Sequence, residues 1–271
     1  MEDNALDRKS FFDNTEAIDY ILDLANNSDS PLLSRVRYHF DSSFPTYRLL
    51  LNFLCAQSTL TSHVDIPLKN LFGNFRPYYE HENESSITWL KILNDKIEGG
   101  ANGKGWTQDD LEYLMGDLSG PMPSNSSLLK LESYAGITFP TCGNHRVIAS
   151  YCLLAALYGQ DAILKNAHVS FFPLIQNRFD LFKYDPLTFD EIYMSDSDKP
   201  RYEFLFINSA HTTWKKFEYN VNEEKYEDLE LKENNFLNQK TFDLNPRKWW
   251  KIEKEMIEFI FNDTWFSEQI S

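Results

Sequence analysis

A mixed α/β fold is what this sequence predicts, on three observations. The first third carries apolar residues at helical spacing. The middle sets an extended apolar run, a polar glycine turn and a long helical run in direct succession, and the last third alternates like strands before closing on a helix. With 42% hydrophobic and 15% aromatic residues among 271, there is material for a sizeable core, which excludes disorder throughout. The organisation expected is a helical N-terminal segment over 1–61, a central core over 62–178 and a strand-plus-helix C-terminal extension over 179–271.

In the first segment, Asp13 or Asn14 caps a run with Ile18, Ile21, Leu22 and Ala25 on one face. Pro31 opens a second run through Val36 and Phe40, and Leu49, Leu50, Phe53 and Leu54 after Pro45 belong to a buried third. Val64-Asp65-Ile66-Pro67-Leu68 alternates as a short strand, and Pro67, with no N–H for a ladder, puts it at a sheet edge. A turn-rich stretch around Arg76-Pro77 leads to a helix from Ser85 or Ser86 with Trp89, Ile92, Leu93 and Ile97 on its buried face.

The segment from Gly99 to Gly105 holds four of the ten glycines but fails the phosphate-loop pattern. Glu98 stands where the first glycine belongs, and Gly105 stands where Ser or Thr should follow Lys104. A mobile connector is expected, with Lys104 able to act as a lid. Thr107 and Asp110 resemble a capping box for a helix with Leu111, Leu114 and Met115. After the break at Gly120-Pro121 come a short helix over 128–134, a strand at Ile137-Thr138-Phe139-Pro140, a helix over 145–158 stopped by Gly159, and a strand over 167–175. Residues 201–207 and 214–219 alternate as a hairpin, and 222–235 is acidic and polar. A final helix from Pro246, capped by Asn245, presents Trp249, Trp250, Ile252, Met256, Phe259 and Ile260 to the core.

Charge and cysteines narrow the function classes. A formal net charge of −15 disfavours non-specific nucleic-acid binding. Three cysteines make neither a disulfide framework nor a paired-cysteine metal motif. An acidic start without an apolar stretch after it, and no apolar run long enough to span a bilayer, predict a cytoplasmic protein with no signal peptide and no membrane partner.

The candidate site is Cys142-Gly143-Asn144-His145-Arg146, at a strand-to-helix junction. A glycine turn there aims free N–H groups and the positive end of the helix dipole at one point, which suits a phosphate or another small anion. Gly143, Asn144 and His145 would bind through the backbone, His145 would donate a hydrogen bond, and Arg146, read as an exposed side chain whose loss costs little stability, would add a forked contact. An ordinary turn, with His145 capping the helix and Arg146 paired to a surface carboxylate, is the alternative reading of the same residues.

The order of elements from Val64 to Ile175, with the Gly143-Asn144-His145-Arg146 turn, resembles the ParB/sulfiredoxin-like superfamily over residues 62–178. That resemblance implies a ParB/sulfiredoxin-like core whose turn binds nucleotide phosphates. It also implies an Arg76 turn lying beside the Gly143 turn, so that Arg76 joins the phosphate-binding set and Glu80 becomes the carboxylate able to hold Mg²⁺ or orient water. Glu80 and His145 are then the catalytic candidates. Sulfiredoxins carry their catalytic cysteine where this chain has Asn144, which argues against that activity. Kinase-like relatives carry an aspartate where this chain has Cys142, and partition proteins add DNA-binding helices where it is acidic and strand-like.

Among other constellations, Glu230-Leu231-Lys232 has the spacing of a nuclease motif without an upstream aspartate in a strand. His63, His81, His168 and His211 show no spacing that sets two ligands on one face, so no metal site is expected from the protein itself. The leading expectation is binding of a nucleotide or related phosphate ligand, with Mg²⁺ accompanying the nucleotide and with phosphate-bond hydrolysis or transfer as the chemistry it would permit. The rivals are a non-enzymatic acidic protein docking onto a basic protein partner, in a mobile-element or phage-defence setting, and a divergent ParB-like nuclease.

Overall fold

A four-stranded sheet, a five-stranded sheet and two apolar cores, both of which the four-stranded sheet helps to build, organise the described residues of this mixed α/β chain. The computed structural model describes residues 17–35, 38–39, 45–56, 60–74, 88–99, 105–107, 129–183, 189–195, 201–208, 213–229 and 249–270. Helix α1 (Ala17–Asn26) turns Ile21 and Ala25 inward. Pro31 does start a helix, but α2 (Pro31–Ser34) lasts one turn and stops at Arg35, which is already extended and whose carbonyl accepts from Trp89 N–H at 3.3 Å; Val36 and Phe40 lie outside the described residues. Two short strands, β1 (Tyr38–His39) and β3 (Gly73–Asn74), pair in parallel. Between them lie α3 (Pro45–Leu54), with Leu50, Leu51, Phe53 and Leu54 buried, and β2 (Leu60–Pro67). Strand β2 occupies the sheet edge that Pro67 requires. Helix α4 (Trp89–Glu98) is capped by Thr88, whose hydroxyl accepts from Lys91 N–H at 3.2 Å; Ser85 and Ser86 lie outside the described residues.

The expected helix over 128–134 is instead strand β4 (Lys130–Tyr134). Its Leu, Lys and Glu favour a helix, yet β4 pairs on both sides, antiparallel with β5 (Ile137–Cys142) and parallel with β6 (Ile163–Phe172), and ladder bonds outweigh propensity in so short a segment. Ala135 (φ 48°) and Gly136 (φ 94°) turn β4 into β5 with positive φ at both positions, the arrangement whose twist matches a hairpin. Helix α5 (Asn144–Tyr158) then carries the chain from β5 to β6, ending at Gly159 as its sequence requires. Strand β6 is longer than the alternation over 167–175 indicates and begins earlier, at Ile163. The order β2-β6-β4-β5 makes a four-stranded mixed sheet.

Helix α5 is buried nearly all round, from Val147 through Leu153. Tyr151 stacks on Trp89 with ring centroids 4.1 Å apart and donates its hydroxyl to Leu32 O at 3.2 Å. This joins α2, α4 and α5 over one face of the sheet. Among the described residues no helix is long and apolar enough to cross a membrane.

After α6 (Gln176–Phe179), strands β7 (Glu191–Ser195), β8 (Arg201–Asn208), β9 (Thr213–Asn220), β10 (Lys225–Leu229) and β11 (Trp249–Ile252) form an antiparallel sheet in the order β10-β9-β8-β7-β11. The hairpin expected over 201–219 is β8 and β9. Trp249 and Trp250, expected on a helix beginning at Pro246, lie on β11, where pairing with β7 holds them extended. The helix starts after that strand, as α7 (Lys254–Asn262), followed by α8 (Trp265–Ile270). Aromatic side chains dominate this second core, with Phe53, Phe72, Phe182, Phe204, Phe206 and Tyr219 all buried.

Candidate functional site

Strand β5 runs out at Cys142, and Gly143 takes the left-handed conformation (φ 79°, ψ 31°) that swings the chain into α5. A side chain would be strained at that point, which explains the glycine. Gly143 O accepts from Val147 N–H at 3.0 Å, closing the first turn. Glycine brings no capping side chain, so the first N–H groups of α5 are left to other partners beside the positive end of the helix dipole.

His145 is half-buried, its ring centroid 5.6 Å from that of Trp106. Trp106 is held in turn by its N–H, which donates to Lys96 O at 2.8 Å. Gly105 lies so close to α4 that a Cβ there would sit 2.1 Å from Ile97 O. The end of the glycine-rich connector is therefore docked on α4, and it delivers Trp106 to the site. Arg146 differs from the expectation of an exposed side chain: it is only 5% exposed. A guanidinium that far from water is costly to leave uncompensated, and it is not displayed on the surface of the turn as a forked contact would require.

Strand register brings further residues to this turn. His63 on β2 stands opposite His168 on β6, Lys130 on β4 stands opposite the same His168, and Lys130 also stands opposite Cys142 on β5. Cross-strand partners project to one face, so His63, His168, Lys130 and Cys142 form a single row across all four strands, ending at Gly143. Their face is the one turned away from α5, since Leu131 and Val169, one position on, are buried in the helix-covered core. His63, Lys130 and Cys142 are exposed and His168 is half-buried.

The next row on that face holds Thr61, Ser170 and Glu132. The hydroxyls of Thr61 and Ser170 lie 3.3 Å apart, and Tyr134 donates its hydroxyl to Glu132 Oε2 at 2.8 Å. Beyond them Tyr134 stacks on Phe172, centroids 4.3 Å apart, where the second core closes over the face. One end of the sheet face is thus dry and aromatic, and the end beside Gly143 carries exposed, ionisable side chains.

The histidine reading needs correction, because His63 and His168 do share a face, with ring centroids 5.0 Å apart and planes at 70°. Nothing in their local spacing shows this. It follows from the β2–β6 register, and the signal available beforehand was only that each lies in an alternating segment. Among the described residues there is no group of three His, Cys, Asp or Glu that could hold a metal ion. Arg76, Glu80, His81, Lys104, Asp110, His211, Glu230, Lys232, Asn245 and Pro246 lie outside the described residues.

The three thiols differ in environment. Burial pushes Cys55 up to about 12 and raises Cys152 as well. Cys142 is free and exposed at the end of the row. No protein-family model, curated protein or solved structure matches the chain.

Proposed function

We propose that this chain binds a nucleotide or another small phosphate-bearing ligand at the Gly143 turn. The observation that carries the reading is the row of His63, His168, Lys130 and Cys142, which leads across an open sheet face to the N-terminus of α5. Lys130 takes the place expected of Arg146 as the exposed cation beside the turn, and the N–H groups of Asn144 and His145 supply donors. Arg146, being buried, is given no ligand contact in this reading. A ParB/sulfiredoxin-like ancestry belongs to the same proposal, as does hydrolysis or transfer at a phosphate bond with His145 as acid or base. Mg²⁺ enters this reading as the counter-ion that a nucleotide brings with it.

Calorimetric titration with mono-, di- and triphosphate nucleotides, with and without Mg²⁺, tests it. Lys130→Ala is expected to weaken binding about ten- to a hundred-fold, the scale of a lost hydrogen bond to a charged group, about 1.5–3 kcal/mol. Its melting temperature without ligand should stay that of the parent, since Lys130 is exposed. Arg146→Ala should lower that melting temperature markedly, because it removes a buried charge from its partners. A parent chain that gives neither heat nor a melting shift with any of these nucleotides overturns the proposal.

A further inference from the structure

We propose that His63 and His168, at the far end of the row that leads to the phosphate turn, form a chelating site for a divalent transition metal of the Zn²⁺ or Ni²⁺ kind. The two side chains stand directly opposite each other on β2 and β6 and project to the same open face. A tetrahedral ion at about 2.0–2.1 Å from one nitrogen of each ring sets the two ring centroids about 5 Å apart. Here they are 5.0 Å apart.

Two further observations favour a cation at this place. Nδ1 of His168 is buried and has no hydrogen-bond partner among the described residues, a state that costs free energy unless something satisfies it. Asp65, two residues along from His63, accepts from Asn166 N–H through Oδ1 at 2.8 Å, which lays its carboxylate against β6 two residues before His168. That negative group offsets Lys130, the cation opposite His168 on the same face, on a chain of net charge −15. Two imidazoles select Zn²⁺, Ni²⁺ or Cu²⁺ over Mg²⁺ and Ca²⁺, which prefer oxygen. With two protein ligands the remaining positions belong to water, and because His63 is exposed an outside ligand can replace that water.

The test is titration of the metal-free full chain with Ni²⁺ and with Zn²⁺, by competition against a chromophoric chelator, beside His63→Gln, His168→Gln and Cys142→Ser. One ion per chain is expected. Each histidine variant should weaken it by at least the roughly ten- to hundred-fold that losing even an outer partner of a ligand costs, and Cys142→Ser should leave it unchanged. Parent-like affinity in His63→Gln, with the parent's circular dichroism, overturns the site, and so does a parent that shows no saturable binding. Should His168→Gln fail to fold, the exposed His63 variant decides. No nucleotide enters this experiment, so its outcome is independent of the phosphate proposal.

Discussion

Cys142 sits in solvent at the end of a strand, while Cys55 and Cys152 are enclosed by apolar neighbours that keep their thiols protonated. Thiolate is the reacting form, so the three should separate cleanly. A water-soluble aromatic disulfide reagent is expected to titrate one thiol in the native protein and three in denaturant. Fast reaction of a second native thiol would show that one of the cores opens. The same reagent gives a local check on the turn, because Cys142 precedes Gly143 and a bound phosphate ligand should slow its modification. At this scale the turn itself was legible: an apolar run, a glycine and a polar pair before a helical stretch admit few other geometries. The burial of Arg146 was not, because what covers a helix N-terminus comes from segments distant in sequence. The His63–His168 pair was hidden for the same reason, since a partner across a sheet leaves no trace in local spacing.

Single elements hold together through pairs that can be tested one at a time. On β7, Glu191 accepts from Lys251 Nζ of β11 at 2.8 Å through Oε1 and from Tyr193 hydroxyl at 3.0 Å through Oε2. The bond from Lys251 holds the Glu191 carboxyl below its usual range, and the same bond raises Lys251. Stability from the depressed carboxyl is present above its ordinary value of about 4.3 and is lost as pH falls through the lowered one. Stability from the raised amine is present below its ordinary value of about 10.4 and is lost as pH rises through the higher one. Glu191→Gln should therefore flatten the stability profile at both ends, read by urea melts across pH; an unchanged profile would mean the pair is silent. The effect is small, since both side chains are partly in water.

The β4–β5 turn is less forgiving. A Cβ on Gly136 would meet Asp263 Oδ2 at 2.2 Å, and that oxygen accepts from Phe266 N–H at 3.2 Å at the start of α8. Gly136→Ala combines a left-handed penalty of about 1–2 kcal/mol with a damaged cap of about 1 kcal/mol. Thermal melts should show a loss on the scale of that total, and a near-neutral variant would mean that Asp263 turns aside freely. Strands β4 and β11 were misread as helices because their side chains favour helix or continue a helical stripe, and only partners on other strands make them extended. The hairpin of β8 and β9, alternating over its own length, needed no such help.

For the whole molecule, the decisive arrangement is two cores sharing one sheet. The face of the four-stranded sheet under α5 belongs to the first core, and the aromatic end of its other face belongs to the second, while at the ionisable end His63, Lys130 and Cys142 are exposed. Composition showed that so aromatic a chain could fill such cores, but not how they divide. Helix α8, near the far end of the sequence, packs Trp265 and Phe266 into the first core, and Trp265 Nε1–H donates to Asp65 O at 2.9 Å across a separation of 200 residues. The core that carries the candidate site is therefore finished by residues made long after its first strand. At about 5–20 residues per second of synthesis, β2 waits on the order of 10–40 s for that partner. Through that interval the edge of the sheet beside Asp65 stands without its cover, which makes the growing chain, more than the finished protein, the state in which this fold is most open to mispairing.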